Sequence, residues 1–237
     1  MDILETLQKY KEYAESQGLI VYAIALKGSQ NYNLSDDESD IDANLVFIPT
    51  LSQLRNQKAV KFTFPEGEVT CHDIYSFAHI VAKGNPQWVE VCNSDYTIGD
   101  LSMFRHFKLN PSALKGMFME KVHAFDKLYP SSKKAIEKFG YAPKQLHHLV
   151  RLYDTLALDV VVLKYYGEDR DYMMDIKRGR QPSTKEEAFK LRDEYVTKLE
   201  TVYTERKLAY ELQEVDYDKI DTIVIKHLVN YYHHLID

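Results

Sequence analysis

Asp40 and Asp42 stand at alternate positions in the stretch KGSQNYNLSDDESDIDANLVF, Lys27 to Phe47, which opens on a Gly28-Ser29 turn and closes on an apolar run. Strand side chains alternate, so the two carboxylates project from one face with Cα atoms roughly 6.5–7 Å apart. Carboxylates held that way repel each other unless a cation sits between them. Mg²⁺ or Mn²⁺ takes oxygen ligands of this kind and keeps waters that a phosphate can replace. Paired ions about 3.5–4 Å apart suit phosphoryl or nucleotidyl transfer. Gly28 lets a backbone approach a ligand closely, and N–H groups with the Ser29 hydroxyl can hold a terminal phosphate. A lone D-x-D is also what a solvated strand start looks like. The ordered succession of strand, Gly-Ser, Ser-Asp-x-Asp and apolar strand favours a site.

The elements that must position these residues follow from periodicity. Ile3, Leu7, Tyr10 and Ala14 recur at helical spacing, with Gly18 as a stop. LIVYAIAL, Leu19 to Leu26, reads as a buried strand that ends at Gly28-Ser29. IDANLVFIP is the second strand, with Ile41, Ala43, Leu45 and Phe47 on one face, Asp40, Asp42 and Asn44 on the other, and Pro49 at its end. EVTCHDI, Glu68 to Ile74, reads as a third strand leading into a helix from Tyr75 to Ala82, and a short helix after KGNPQ carries Trp88 and Val91. After Asn110-Pro111 the pattern is helical, with clear helices over Lys144 to Tyr166, Lys185 to about Lys207, and Asp216 to Leu235. The last of these sets Ile220, Ile223, Val224 and Leu228 on one side. The expectation is an α+β chain: a small mixed sheet with flanking helices over 1–108, followed by an all-helical domain over 109–237.

Composition narrows the classes. The chain has 237 residues, 45% hydrophobic and 28% charged, with a formal net charge of −6, so no global basic field advertises nucleic acid. A local basic groove is the form RNA binding would have to take. Cys71 and Cys92 are the only cysteines and lack C-x-x-C spacing, which argues against a disulfide framework or a zinc site. No signal-peptide pattern and no apolar run of spanning length are found, so a cytoplasmic enzyme or binding protein with no membrane association is the expectation.

LKGSQNYNLSDDESDIDANLVFIP resembles the G-S…D-x-D signature of the polymerase-β-like nucleotidyltransferases. The phrases GSQNYNL…SDID…FIPT, HDIYSF…KGNPQWVEV, FGYAPKQLHHLVRLYD and IKRGRQPSTKEEA are similar to the predicted nucleotidyltransferases of phages and bacteria that accompany RNA ligases. The resemblance covers most of the chain. It implies a small mixed sheet backed by helices, Mg²⁺ or Mn²⁺ as cofactor, and transfer of a nucleoside monophosphate from an NTP such as ATP. Asn33 stands where relatives carry Gly, and Asn tolerates a left-handed turn.

The resemblance also implies a third carboxylate on an adjacent strand. Alternation puts Glu68, Thr70 and His72 on one face of EVTCHDI and Val69 and Cys71 on the other, which favours Glu68. Asp73 is the competitor because its HDI block matches the family better, and its other role is an N-cap. Lys144, His148 and Arg151 lie at i, i+4 and i+7 of one helix, with His147 alongside. On the residues alone they are a solvated face or a cationic stripe; the resemblance runs through them and implies nucleotide binding. Lys177-Arg178 is a weaker basic candidate. Asn85 reads as a turn former, Trp88 as core, Glu90 as a structural partner, and Ser29 has no His/Asp pattern that would make it a nucleophile.

The sequence expectation is therefore a metal-dependent nucleotidyltransferase with Asp40, Asp42 and Glu68 as metal ligands and Glu68 or Asp73 completing the catalytic set. Gly28, Ser29, Lys144, His148 and Arg151 bind the nucleotide, and the acceptor hydroxyl belongs to an RNA end in repair or modification. The rivals are transfer of AMP to a protein (an antitoxin-like modifier included) and a catalytically idle nucleotide-binding module.

Overall fold

The computed structural model describes residues 2–36, 39–50, 52–53, 60–211 and 217–233. Helix α1 (Ile3–Ser16) starts where the Asp2 carboxylate accepts the N–H groups of Leu4 and Glu5, at 2.8 and 3.3 Å. Its buried positions Leu7, Tyr10 and Ala14 form one stripe. Gly18, at φ +84°, turns the chain into β1 (Ile20–Lys27). Next come a 3₁₀ turn (Ser29–Tyr32), β2 (Asp42–Ile48), the β3–β4 hairpin (Val60–Phe64 and Gly67–Asp73), α2 (Ile74–Ala82), α3 (Pro86–Cys92) and β5 (Thr97–Gly99).

The five strands form one mixed sheet in the order β3-β4-β2-β1-β5. β2 and β4 run parallel, and the other neighbours are antiparallel. One face carries Ile24, Leu26, Ala43, Leu45, Phe47, Val69 and Cys71 and is covered by the Leu7, Tyr10 and Ala14 stripe of α1. The other face, at Ala23, Ala25, Val46 and His72, packs under α2 and α3, where the Trp88 ring meets His72 and Phe77 edge-on. Burial on both faces explains the near-continuous apolar runs of β1 and β2. Trp88 is core, as read from the sequence, and Glu90 is buried in α3. Two strands had escaped the sequence reading: β5 is three residues long, and β3 is a half-exposed edge strand with only Val60, Phe62 and Phe64 to signal it.

The chain divides into two compact units. The sheet with α1–α3 makes up the first, together with the C-terminal helix α9 (Tyr217–His233), which packs on α2. There His79 Nε2 meets Asp221 Oδ1 at 2.9 Å, and the Tyr232 hydroxyl donates to the Pro49 carbonyl. The second unit joins Tyr32–Leu34 to α4 (Pro111–Ala124), α5 (Lys133–Phe139), α6 (Pro143–Leu158), α7 (Gly167–Lys177) and α8 (Lys185–Glu211). The break between 108 and 109 falls where the texture of the sequence changes. The helical domain expected over 109–237 is nevertheless corrected at both ends: α9 returns to the sheet unit, and three residues from the site loop join the helices.

The helix expected over Lys144 to Tyr166 also ends early, at Leu158. Asp159 adopts φ +55°, and the β-branched run Val160-Val161-Val162 that follows resists helix. Buried Leu146, Leu149, Val150 and Leu156 aim α6 into a core shared with Leu114, Phe118, Phe125, Met173 and Leu199. No described helix is long and apolar enough to cross a membrane.

Candidate functional site

The Gly28-Ser29 turn and the Asp40–Asp42 segment lie side by side because β1 and β2 are antiparallel neighbours whose register pairs Lys27 with Asp42. Gly28, at φ +93°, lets the chain leave β1 for the 3₁₀ turn. Asn31 fixes that turn from within. It is 3% exposed, donates from Nδ2 to the Leu26 carbonyl at 2.8 Å, and accepts from the Ser94 hydroxyl at 2.8 Å. Sequence reasoning passed over Asn31; its only signal was a polar residue set between Gly-Ser and apolar Tyr32.

The D-x-D segment is tied down on three sides. Gln30 Nε2 donates to the Asp40 carbonyl at 2.7 Å. The Ile41 N–H donates to the Glu66 carbonyl at 2.7 Å, and the Tyr10 hydroxyl donates to the Ile41 carbonyl at 3.2 Å. Gly67 closes the arrangement, since a Cβ there would fall 2.3 Å from the Ile41 oxygen. Asp42 is half-buried, and its Oδ1 accepts the Glu68 N–H at 3.0 Å; Asp40 is exposed. Burial, then the charges of Glu66, Asp42 and Asp40, push the Tyr10 hydroxyl up to about 12.

Of the two candidates for a third carboxylate, Glu68 lies beside Asp42. Asp73 sits at the other end of β4, five residues on, or about 16 Å along a strand, where it pairs with Phe47. Its carboxylate is spent on α2, accepting the Ser76 N–H at 2.8 Å as N-cap. Glu68 is itself engaged: Lys61 of β3 forms an ion pair with Oε2, and Lys27 Nζ stands 3.8 Å from Oε1. Lys27 also donates to Thr70 Oγ1 at 3.3 Å. The Lys61 hydrogen bond and the Lys27 charge hold Glu68 below the usual carboxylate range. Among the described residues no three His, Cys, Asp or Glu side chains converge well enough to hold an ion unaided. The donor set that is present, two aspartates at a strand start, suits Mg²⁺ sharing its shell with water and substrate phosphates. Gln30 Oε1 is buried and has no hydrogen-bond partner among the described residues. The thiols of Cys71 and Cys92 are buried and pushed up to about 12, outside any such chemistry.

The cationic candidates of α6 belong to the helical unit and have different surroundings. Lys144 is exposed and His148 is half-buried. Arg151 is only 6% exposed and lies over the Tyr32 ring at 4.1 Å, so it is no solvated face. Arg170 Nε donates to the Asn33 carbonyl at 2.9 Å and Lys177 Nζ to the Leu34 carbonyl at 3.1 Å. Asn33, at φ +58°, adopts the left-handed turn its type allows and donates from Nδ2 to the Tyr165 carbonyl at 2.9 Å. The helical unit thus grips Tyr32–Leu34, the piece of chain between the Gly-Ser turn and the D-x-D. His147 is 3% exposed with both ring nitrogens lacking hydrogen-bond partners; burial, then Arg151, Lys177 and Lys144, push it down to about 3. Burial and the neighbouring cationic groups also hold His148 well below its ordinary value. Asn85 takes the N-cap position of α3 through its backbone, ahead of Pro86.

Comparison with protein-family models and with curated proteins returned no match for this chain.

Proposed function

We propose that this chain is a metal-dependent nucleotidyltransferase of the polymerase-β-like kind, transferring a nucleoside monophosphate from an NTP to an acceptor hydroxyl at an RNA end, with the α–β phosphoanhydride bond broken and pyrophosphate released. One observation carries the reading: the Lys27–Asp42 register sets a Gly-Ser turn beside two alternating aspartates, with Gln30 linking the two segments. Asp40 and Asp42 would hold the divalent ion, with Glu68 on the same face. The ion, when bound, supplies charge neutralisation at the reacting phosphate and polarises the acceptor oxygen. The Gly28 and Ser29 backbone and hydroxyl orient the outer phosphates, and Asn31 keeps the turn that presents them rigid. Lys144, His148 and Arg151, expected from the sequence to bind the nucleotide, belong to the helical unit.

Incubation with each of four α-labelled NTPs, with Mg²⁺ or Mn²⁺ and with or without RNA, tests this directly. Label on RNA, lost in Asp42→Asn, is the expected outcome. Label on protein would shift the acceptor to a polypeptide. No transfer together with intact metal-free nucleotide binding would leave a binding module.

A further inference from the structure

Glu68 and Lys27 form a charge pair across the sheet from Asp42. Lys27 is the last residue of β1, cross-strand from Asp42, and its ammonium stands 3.8 Å from Glu68 Oε1 and 3.3 Å from Thr70 Oγ1. Glu68 in turn donates its backbone N–H to Asp42 Oδ1. One lysine is therefore placed at the start of both acidic strands, half-buried, where the proposed ion would also be drawn. Lys61 pairs with the other oxygen of Glu68 from the exposed edge strand. An ammonium and a divalent ion seek the same carboxylate oxygens, and a carboxylate already compensated by two lysines gives an ion less.

We propose that Lys27 is a built-in competitor for the divalent ion: it pairs with Glu68 and must yield that carboxylate when the ion binds. This rests on the reading of Asp40 and Asp42 as ion ligands. Glu68 is then the exchangeable member of the site, not a permanent ligand. The displaced ammonium remains at the end of β1, next to Gly28-Ser29, where a phosphate would be its replacement partner. No bond is made or broken in this exchange; one ionic partner replaces another.

The test is Mn²⁺ titration of the full chain, followed by water-proton relaxation, which suits weak sites. Lys27→Met should bind Mn²⁺ roughly two- to fivefold more tightly than the wild type, the scale of a partly exposed ion pair. In a Glu68→Gln background the same substitution should bring no gain. Lys134→Met, which removes an exposed charge from α5, should leave the affinity unchanged. Lys27→Gln, which keeps a polar partner for Thr70, repeats the measurement if the apolar variant does not fold. Unchanged or weaker Mn²⁺ binding in the Lys27 variants would overturn the exchange, as would a gain that persists without Glu68 or appears equally in Lys134→Met. Wild-type protein that binds no Mn²⁺ even with an NTP present would overturn the functional reading itself, and the exchange with it.

Discussion

The backbone N–H of Glu68 donates to the side chain of Asp42 at 3.0 Å, so the start of β4 is pinned to the second aspartate of the D-x-D. Asp42 is thus both a candidate ligand and a structural acceptor, and the two roles separate by substitution. Asp42→Asn keeps a carbonyl oxygen for the Glu68 N–H and should melt like the wild type. Asp42→Ala leaves that N–H unpaired and should cost about 1–3 kcal/mol. Denaturant unfolding measures the difference, and Mn²⁺ binding with NTP should be lost in both variants.

Position along β4 separates Glu68 from Asp73. Asp73→Ala should lose about 1 kcal/mol of stability as a missing cap, with turnover unchanged, and Asp73→Ser should restore most of it. Glu68→Gln should lower turnover while leaving the melting temperature near that of the wild type. Low turnover with normal stability in Asp73→Ala would reverse the assignment.

Two glycines of the site should respond differently to Ala. At Gly28 a Cβ meets nothing within 4 Å, so Gly28→Ala should cost only the roughly 1–2 kcal/mol of a left-handed backbone. At Gly67 the Cβ would strike the Ile41 carbonyl, between the two aspartates. Gly67→Ala should displace that segment and abolish Mn²⁺ binding, while Gly28→Ala retains it.

Within α6, Lys144 and Arg151 should part company. Lys144→Ala should leave stability within about 0.5 kcal/mol, as exposed positions do. If the residue contacts the triphosphate, NTP affinity falls by about 1.5–3 kcal/mol. Arg151→Ala removes a buried guanidinium from the Tyr32 ring and should lower the stability of the helical unit, by about 0.5–2 kcal/mol for the ring contact alone. NTP affinities within twofold of wild type for Lys144→Ala would remove that residue from the nucleotide site.

His147 gives the helical unit an acid-sensitive point. Its folded value, about 3, lies below the ordinary 6.5, so between those limits the unfolded chain binds a proton that the folded chain does not. The part of the stability linked to this group should therefore be complete above about pH 6.5 and decline as pH falls toward 3, with a slope of up to about 1.4 kcal/mol per pH unit. His147→Phe should flatten that slope in denaturant titrations between pH 4 and 7. An unchanged slope would mean that other groups carry it.

Local facts were legible in the sequence: which residues of a strand share a face, which cap a helix and which can turn. Alternation put Asp42 and Asn44 on one side of β2 and Glu68 with Thr70 on one side of β4, because a strand's period is two wherever it sits, whereas Asp40, expected on the same strand face, precedes β2. The Asp73 cap and the Gly28 turn were legible because capping and a left-handed backbone are local properties of residue type. Which strands are neighbours follows from packing. The parallel β2–β4 pair, the Lys27–Asp42 register and the Lys27–Glu68–Lys61 arrangement join residues far apart in the chain, and no local period encodes a partner. The same holds for Asn31, whose value lies in reaching Leu26 and Ser94, and for α9, whose partner α2 lies far away in the chain. Tyr32–Leu34 is the sharpest case. Three residues within a site loop join the helical unit because Arg151, Arg170, Lys177 and Tyr165 meet there, and those residues converge only once the helices have packed.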